Sequence, residues 1–582
     1  EAAAAAALAS SDYEDAAKHV TSALASVRAA GEAIDAPARS RVEAAHSRVL
    51  SAVRARLADA LAAGALGPVC RFSRLVAILG EEAEARSTLA AFCHRQVDAA
   101  AEPTPSEQDQ PVLSTVPMRM ARLLRATAEA VAGVAAVLAD QPADEALCGQ
   151  LYARSVELGS GMAAQYAAAA AVRSRAAAAR RRMSVSVPMG QLPEIGPDAE
   201  AEALGCERLL DEMAGLVRGA TQYDAFMAAR GLGCGAEGWR SEASLGCSAG
   251  MEDLRSGLQA LSAQQAWAGV VKAMRMDASL EDEAARAGRG ADDSDRRADM
   301  SKSELLDSVF YLLQKYLRRA AHTCDGATAA AAVQQAGVLL GGILLDALCT
   351  GLKQTVSAKL AGAALASAQA MMAEASTGVS GAMGSAVSAA GASRLPGTLR
   401  ALNAIQLCLS CAPRLFRAAA DDFACELPAP AMAAVTAELE IARRVEVTLA
   451  TALTAGLQQL AASIHPRLKP RLDAFRDRSY LLQSDEALAT AETASFVSPL
   501  LAEMSGALSA LQPGLNEPNA QALLLLLVAH CADRIEALLL LKKVDIFGAL
   551  QLERDVRALG QRLSALTSRS VREPLSRLTQ MA

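Results

Sequence analysis

Three short segments of the 582-residue sequence combine residue types that can carry chemistry. The segment GCSAG, 246–250, has the spacing of a nucleophile elbow, in which Ser248 would attack a substrate after a histidine had taken its proton. His322, His465 and His530 follow it in the chain. An elbow needs a parallel sheet to hold its strained turn, and no segment shows the alternation that predicts strands. We therefore predict a loop at Ser248, and a serine hydrolase is the alternative.

The other two segments lack the surroundings that their chemistry requires. GCGAEG places Gly233, Gly235 and Gly238 in the GxGxxG spacing of a dinucleotide-binding turn, but the preceding YDAFMAAR is typical of a helix rather than the required strand. Cys408 and Cys411 form one CxxC pair, whereas a zinc site needs a second pair and a thioredoxin-like motif needs a βαβ unit. We predict a glycine loop and buried helix cysteines here, with no catalytic residue, cofactor or metal site.

Composition favours helices over strands throughout the chain. Hydrophobic residues make up 52% of the sequence, with alanine supplying much of that share, and aromatic residues are only 3%. Alanine has the highest helix propensity, whereas strands are enriched in the β-branched and aromatic residues that are sparse here. The fold class that we predict is all-α, an elongated rod of consecutive helical bundles.

Net charge, cysteine content and the first residues indicate which partners the protein can bind and in which cellular compartment it is expected. The formal net charge of −7 is opposite to the basic footprint that nucleic-acid binding requires. The 12 cysteines are scattered without the short, even spacing of a disulfide scaffold, which favours reduced thiols in the cytosol. The beginning, EAAAAAALASSDYEDAA, has no basic n-region and no cleavage pattern, so it is not typical of a secretory signal and is expected to be a truncated beginning.

The longest uncharged window, 326–345, is about as long as a bilayer-spanning helix. It contains GVLLG, in which Gly337 and Gly341 form a GxxxG pair, but glutamines lie in its middle and glycine pairs also let soluble helices approach closely. We predict a buried helix of a soluble protein there rather than a membrane span. The leucine block LLLLLVAHC, 523–531, is too short to cross a bilayer and is expected to form a helix buried on nearly all sides.

The segment SKSELLDSVFYLLQKYLRRAAHTC, 301–324, is unusually aromatic for this chain. Ser301 and Glu304 have the spacing of a capping box, which predicts a helix start. A second capping-box spacing joins Ser11 and Glu14. The first helix carries an apolar stripe at three- and four-residue intervals, which predicts a packing face. The stripe consists of Leu305, Leu306, Val309, Phe310, Leu312, Leu313, Tyr316 and Leu317.

Breaks in the helical pattern predict four units. Proline, glycine and charged stretches interrupt it at 102–117, 231–250, 279–300 and 375–397, which we interpret as linkers or loops. The predicted units are an N-terminal helical unit, 1–101, a second helical unit, 118–230, a central helical unit, 251–374, and a C-terminal helical bundle, 398–582.

Five segments occur in an order that matches one known family. They are SSDYEDAAKH, CRFSRLVAILGEE leading to CHRQV, LLDSVFYLLQKYLRRA, LRALNAIQLC, and FGALQLERDVRAL leading to LSRLTQMA. Together they resemble the subunit 4 family of the conserved oligomeric Golgi complex, a multisubunit tethering complex of the helical-rod type. The clearest positions are Asp12-Tyr13-Glu14, Arg71-Phe72, Leu79-Gly80, Gln96-Val97, Asp307, Val309-Phe310-Tyr311 and Gln580-Met581-Ala582.

The resemblance implies a non-enzymatic, peripheral subunit on the cytoplasmic face of Golgi membranes and in the cytosol, without a transmembrane segment. Its implied partners are other subunits of the complex, syntaxin-type Golgi SNAREs and a Sec1/Munc18 protein, and its implied process is intra-Golgi retrograde transport. Within the implied rod, Phe310, Tyr311 and Tyr316 would anchor helix against helix, with a partner-binding face as the alternative reading.

This chain departs from the family at both ends. The family begins with an amphipathic coiled-coil region and continues with further helices beyond the equivalent of Gln580-Met581-Ala582, so the chain is expected to be truncated at both ends. Docking of Arg577 against a later helical unit is therefore not expected here. Besides the serine hydrolase, an unrelated cytosolic helical scaffold or adaptor remains an alternative function.

Overall fold

The structure is a computed structural model that describes residues 2–31, 35–137, 143–184, 197–232, 244–287, 304–349, 395–484, 495–567 and 569–581. Helices account for nearly all of this part of the chain, and it contains no β-strand. A single isolated bridge pairs Tyr480 with Val544. The all-α fold class predicted from composition is confirmed for the described residues.

The chain divides into two compact units. The first consists of Glu1–Ala263, Arg319–Ala329 and Glu426–Pro428, and the second of Gln264–Arg318, Ala330–Cys425 and Ala429–Ala582. The four-unit division predicted from the sequence is finer than these two units and stays a prediction.

The first unit contains eight complete helices among its described residues and the beginning of a ninth. They are α1 (Ala2–Ala9), α2 (Tyr13–Ala30), α3 (Ala36–Ala63), α4 (Leu66–Ile78), α5 (Glu82–Ala101), α6 (Val112–Val137), α7 (Ala143–Ser184), α8 (Pro197–Ala228) and α9 (Ala249–Ala287). From α1 to α7, each helix packs against the next one along the chain. Short connections explain this order, since they leave little choice except antiparallel neighbours.

Local signals in the sequence set the ends of these helices. Asp12 caps α2, because its carboxylate accepts the backbone N–H of Asp15 at 3.1 Å. The capping box predicted at Ser11 is therefore wrong by one residue, since Ser11 lies before the cap at φ +59°. Gly80, at φ +99°, reverses the chain between α4 and α5, a left-handed conformation that glycine adopts without steric cost.

Apolar residues from all eight helices and the start of α9 form one continuous core in the first unit. Leu89, Leu123, Leu151 and Met213 are among its fully buried members. Alanine, leucine and valine supply most of this core.

The amphipathic segment forms α10 (Glu304–His322), and the proposed cap at Ser301 lies outside the described residues. Six positions of the predicted stripe are buried, and Phe310 and Leu312 are half-buried. Tyr311 is 64% exposed, so its predicted role as an anchor is wrong. The helix turns about 100° per residue, so Tyr311, two residues from both Val309 and Leu313, lies on the face opposite the stripe.

The uncharged window forms α11 (Gly326–Val338), which continues as a π-helical turn over Leu339–Leu344. A Cβ atom on Gly337 would lie 2.4 Å from Ile441 Cδ1, and one on Gly341 would lie 3.4 Å from Val445 Cγ2. The two glycines therefore allow close packing against the helix that begins at Ile441, as predicted for a glycine pair between soluble helices.

The second unit ends in a bundle of five helices. Two helices, α12 (Leu395–Glu426) and α13 (Ala429–Glu438), precede it. The bundle consists of α14 (Ile441–Asp477), α15 (Val497–Ser509), α16 (Glu517–Leu539), α17 (Ile546–Leu566) and α18 (Arg572–Met581). The leucine-rich α16 packs against α14, α15 and α18, and its residues Leu523, Leu524, Leu527, Val528 and Cys531 are buried.

Two helical segments are long and apolar enough to cross a bilayer by length and composition, Gly326–Cys349 and Ala431–Asp477. In their most apolar windows, 56% and 39% of the residues are buried inside the structure. Core helices of soluble proteins meet the same criterion, so the two segments are weak support for a membrane span.

Two of the predicted linkers overlap the beginning of a helix. The segment predicted as 102–117 gives way to helix at Val112, and the one predicted as 231–250 precedes the start of α9 at Ala249. Helix α9 runs on to Ala287, through the first part of the predicted loop 279–300. The loop 375–397 lies outside the described residues up to the start of α12 at Leu395.

Candidate interaction surface

Ser248 lies at the turn before α9, and its hydroxyl is buried without a hydrogen-bond partner. A nucleophilic serine needs a base within hydrogen-bonding reach, and none of the described residues provides one. The two glycines of GCSAG instead serve packing. Gly246 donates its backbone N–H to Asp224 at 2.6 Å, and a Cβ atom on Gly250 would lie 1.9 Å from the carbonyl oxygen of Ser160. The motif forms a closely packed turn, as predicted for a loop.

The carboxylate of Asp224 holds this turn in place through hydrogen bonds. It accepts hydrogen bonds from the hydroxyl of Tyr152 at 2.8 Å and from the backbone N–H of Leu245 at 3.0 Å. Burial raises the pKa of Asp224, and the hydrogen bonds oppose that shift. Because each oxygen of the carboxylate has a donor, the arrangement is satisfied and needs no ligand.

In the part of the chain that the structure describes, the remaining motifs form no catalytic or metal site. The glycines of GCGAEG lie outside the described residues, and the segment before them is helical, as predicted. Cys408 is buried on α12, where desolvation raises the pKa of its thiol to about 12, and Cys411 is half-buried. Among the described residues no three metal-ligating side chains converge. A thiol with so high a pKa is a poor nucleophile and a poor metal ligand.

The structure reveals a pair of histidines that their positions in the sequence did not indicate. The rings of His465 on α14 and His530 on α16 stack with centroids 3.5 Å apart and planes 4° apart. Burial lowers the pKa of both rings, and the proximity of His530 lowers that of His465 further. Two neutral imidazoles stack favourably, whereas two imidazolium ions at this distance would repel each other.

Two segments that carry the family resemblance meet in the first unit. The rings of Tyr13 and Phe72 contact edge to face with centroids 5.8 Å apart. Beside them, Arg71 donates to the carboxylate of Glu14 at 3.0 Å. Positions that look isolated in the sequence therefore form one contact between α2 and α4.

In the second unit a buried polar network holds the segment after α14 against α17. The carboxylate of Asp555 accepts from the Tyr480 hydroxyl at 3.0 Å, the Ser495 hydroxyl at 2.9 Å and the Gln551 amide at 3.1 Å. The guanidinium of Arg478 lies 3.7 Å from it. A buried charge with this many donors is stabilised, and it fixes the position of Tyr480.

A second carboxylate, that of Asp545, secures the same segment at its outer end. It accepts the backbone N–H groups of Leu482 at 2.8 Å, Gln483 at 2.9 Å and Gly548 at 2.7 Å. These hydrogen bonds lower the pKa of Asp545. Asp545 thus caps α17 and ties the loop after Tyr480 to the start of that helix.

Lys542 completes the support from the other side. Its ammonium group donates to the backbone carbonyls of Arg476, at 2.9 Å, and Arg478, which end α14. It also lies 5.1 Å from the centroid of the Phe475 ring. Burial lowers the pKa of Lys542. The cation therefore stabilises the C-terminal end of α14 and holds the turn between α16 and α17.

Around this polar framework, large apolar side chains face solvent. We call this set of residues the apolar tip; it consists of Leu481, Leu540, Leu541, Val544, Ile546 and Leu550. The bridge between Tyr480 and Val544 brings Leu481 beside the other members, which are close together in the chain. Single exposed leucines are ordinary, but six large apolar side chains exposed on two short segments that the bridge joins make this turn a candidate contact surface.

The C-terminal part of the chain matches a known family. Residues 418–582 match the family model described as conserved oligomeric Golgi complex subunit 4, C-terminal. This region includes the histidine pair, the two carboxylate networks and the apolar tip. The family resemblance predicted from the five segments is thereby confirmed for this region.

Two curated relatives extend the similarity. The conserved oligomeric Golgi complex subunit 4 of Arabidopsis thaliana is 28% identical over 285 residues, which are 49% of this chain and 36% of that protein. The protein of the same name from Drosophila melanogaster is 33% identical over 128 residues, 22% of this chain and 16% of that protein. The matched part of the chain therefore spans about a third of one relative, or less in the other.

Among solved structures, a circular tandem repeat protein with novel repeat topology aligns with 94% of this chain and 97% of its own, at 11% identity. The TM-score of 0.13 is too low for this alignment to support an inference about the fold.

Proposed function

We propose that this chain acts as a subunit of a Golgi vesicle-tethering complex in intra-Golgi retrograde transport. The observation that carries the proposal is the match of residues 418–582 to the C-terminal family model of subunit 4. The two relatives, both named as subunit 4, support the same assignment. In this role the chain breaks no bond and contributes helical faces on which other proteins assemble.

The mechanism that we propose is scaffolding. Consecutive helices packed in bundles hold their outer faces in fixed positions, because each helix is anchored by a buried stripe. Other subunits of the complex would occupy such faces. Syntaxin-type Golgi SNAREs and their Sec1/Munc18 regulator would bind other helical faces of the chain. For a SNARE, the expected mode is a helix that lies in a groove.

Affinity purification from cells tests the assignment. The full-length protein is expected to recover the other subunits of the conserved oligomeric Golgi complex, measured by mass spectrometry. Recovery of actin or tubulin partners without these subunits would support the alternative of a cytoskeletal adaptor and contradict our proposal.

The location and the SNARE contact need separate experiments. Protease added to intact Golgi vesicles is expected to digest the protein, since we place it on the cytoplasmic face and in the cytosol. The purified chain is expected to bind the cytosolic helix of a syntaxin-type SNARE in solution. Protection from protease, or the absence of binding to every Golgi syntaxin, would contradict the respective part of the proposal.

A further inference from the structure

The apolar tip contains the most exposed large hydrophobic side chains of the described residues. Leu540 is 70% exposed, Leu541 82% and Ile546 81%. These values mean that the side chains stand out from the surface and do not line a groove. Leu540 and Leu541 follow the last turn of α16, and Ile546 begins α17, so the tip lies at a turn between two helices.

The protein holds this turn in place. Lys542 is bound to the end of α14, Asp545 binds three backbone N–H groups, and Gly548 lies against the Tyr480 carbonyl. The exposed side chains alternate with these anchored residues along the chain. Because the anchors fix the backbone, Leu541 and Ile546 cannot turn inward without breaking hydrogen bonds, and their exposure is a built feature.

Basic residues accompany the tip. Lys543 is exposed between Leu541 and Val544. Among the described residues of the turn 540–546, Lys542 and Lys543 outnumber the one carboxylate, Asp545, which keeps its negative charge while it accepts backbone N–H groups. The surroundings of the tip thus favour an anionic partner.

We propose that the apolar tip inserts into the headgroup region of a membrane that contains anionic phospholipids. A lipid surface deforms around protruding leucine and isoleucine side chains, and a lysine beside them reaches the phosphates. A folded protein partner would need a complementary pocket for each protruding side chain. Protrusion together with positive charge therefore fits lipid better than a groove-forming partner.

This inference goes beyond the proposed tethering role, because it assigns a direct lipid contact to the chain itself, independent of other subunits. Burial of one leucine or isoleucine side chain stabilises an apolar contact by about 1.5–3 kcal/mol, which corresponds to about tenfold or more in affinity. Contact through two such side chains and one lysine is expected to be weak, reversible and dependent on ionic strength.

Vesicle flotation of the full 582-residue chain tests the inference. The probes are vesicles of phosphatidylcholine with and without phosphatidylserine. Binding is expected only to the vesicles that contain phosphatidylserine, and salt is expected to weaken it. The variant Leu541→Asp/Ile546→Asp is expected to lose binding at least about tenfold, and Lys543→Glu to lose less.

Val447→Asp is the matched control, because Val447 is an exposed apolar residue, 66% accessible, on α14 in the same unit. Far-ultraviolet circular dichroism would verify that each variant is folded. Equal loss of binding in the control, unchanged binding in the tip variants, or no binding by the parent chain would overturn the inference.

A direct readout covers the case in which a charged variant fails to fold. Leu541→Trp keeps an apolar side chain and is expected to show fluorescence that brominated phospholipid quenches, beyond the quenching of the unsubstituted chain. Absence of added quenching would contradict insertion. Light scattering distinguishes one further outcome: a dimer that Leu541→Asp/Ile546→Asp dissociates, without vesicle binding, would assign the tip to a protein interface and reject the lipid contact. Neither experiment involves other Golgi subunits, so its failure leaves the tethering proposal to its own test.

Discussion

A Cβ atom on Gly548 would lie 1.8 Å from the carbonyl oxygen of Tyr480. Such a distance is far inside van der Waals contact, so only glycine fits in the first turn of α17 while Tyr480 keeps its place over Asp555. The same carbonyl oxygen accepts the backbone N–H of Asp545 at 3.2 Å. The turn that carries the apolar tip is therefore locked to the end of α14 by backbone contact.

Gly548→Ala is expected to destabilise the protein. The added methyl group forces the backbone of Tyr480 or of α17 to shift, and overpacking of this kind costs about 1–3 kcal/mol. Thermal or chemical denaturation of the purified chain would measure the loss.

Gly506→Ala is the control for that substitution. Gly506 lies in α15 with no atom within 4 Å of a built Cβ, so alanine there is expected to be neutral or to stabilise the helix. If Gly548→Ala were as stable as Gly506→Ala, the close contact with Tyr480 would not constrain the fold.

Asp545→Asn is expected to destabilise the turn because it replaces a charged acceptor of three backbone N–H groups with an amide that accepts less strongly. The folded pKa of Asp545 is lowered, so its contribution is present above the pKa of the unfolded carboxyl and is lost as pH falls through the folded pKa. Denaturation at neutral and at acidic pH would measure this.

The difference in stability between parent and Asp545→Asn should therefore shrink in acid. Asp59→Asn is the control, because Asp59 is exposed on α3 and pairs with Arg56 at 3.5 Å, an exposed ion pair of little weight. A pH-independent difference for Asp545→Asn would show that the substitution acts through shape and not through charge.

The hydrophobic pattern of the sequence was sufficient to predict the helices and many of their packing faces. The GxxxG pair at Gly337 and Gly341 predicted a close helix contact, and α14 provides it. The anchor role of Tyr311 came from the family resemblance, whereas helical periodicity already leaves Tyr311 out of the apolar stripe and places it on the opposite face of α10. Burial depends on the partner surface, which a linear pattern does not contain.

The apolar tip and the histidine pair could not be found from the sequence for related reasons. The sequence LLKKVDIFGAL does not by itself show which of its apolar residues are exposed. Their exposure results from the anchors at Lys542 and Asp545, which are visible only in three dimensions. His465 and His530 lie on different helices, and nothing local marks either as the partner of the other. Long-range pairing is what the sequence leaves undetermined.

Ser248→Ala is expected to leave stability unchanged or slightly higher. The Ser248 hydroxyl is buried without a partner, so its removal eliminates an unsatisfied polar group rather than a hydrogen bond. Any hydrolysis of p-nitrophenyl acetate by the chain is expected to persist in this variant. Loss of activity would instead support the serine hydrolase.

Ser155→Ala, in the same unit, is the comparison for Ser248→Ala, because the Ser155 hydroxyl has hydrogen-bond partners. The Ser155 hydroxyl is buried, bonds to the Tyr152 carbonyl at 2.7 Å and lies 2.7 Å from the Tyr223 hydroxyl. Its removal leaves a buried tyrosine hydroxyl short of a partner, at a cost of about 1–3 kcal/mol. Equal stability of the two alanine variants would contradict this assignment of hydrogen bonds.

The stacked histidines predict that stability falls as the pH is lowered. Burial lowers the folded pKa of both His465 and His530 below the value of about 6.5 for an unfolded chain. The unfolded state therefore binds more protons between the folded and unfolded pKa values. Stability is complete above the unfolded pKa and decreases as the pH falls through that window to the folded pKa.

His530→Gln is expected to flatten this dependence, because it removes one of the two titrating rings and relieves the repulsion between imidazolium ions. Asp533 opposes the shift at His530 and Arg534 adds to it, so the ionic strength should be held constant. Denaturation between pH 7.5 and pH 5.5, about one unit on either side of the unfolded pKa, would compare the parent with the variant. His94→Gln is the control, since His94 belongs to the first unit and is not part of the stack. A parent slope that His530→Gln leaves unchanged would mean that the stacked pair does not control the response to pH.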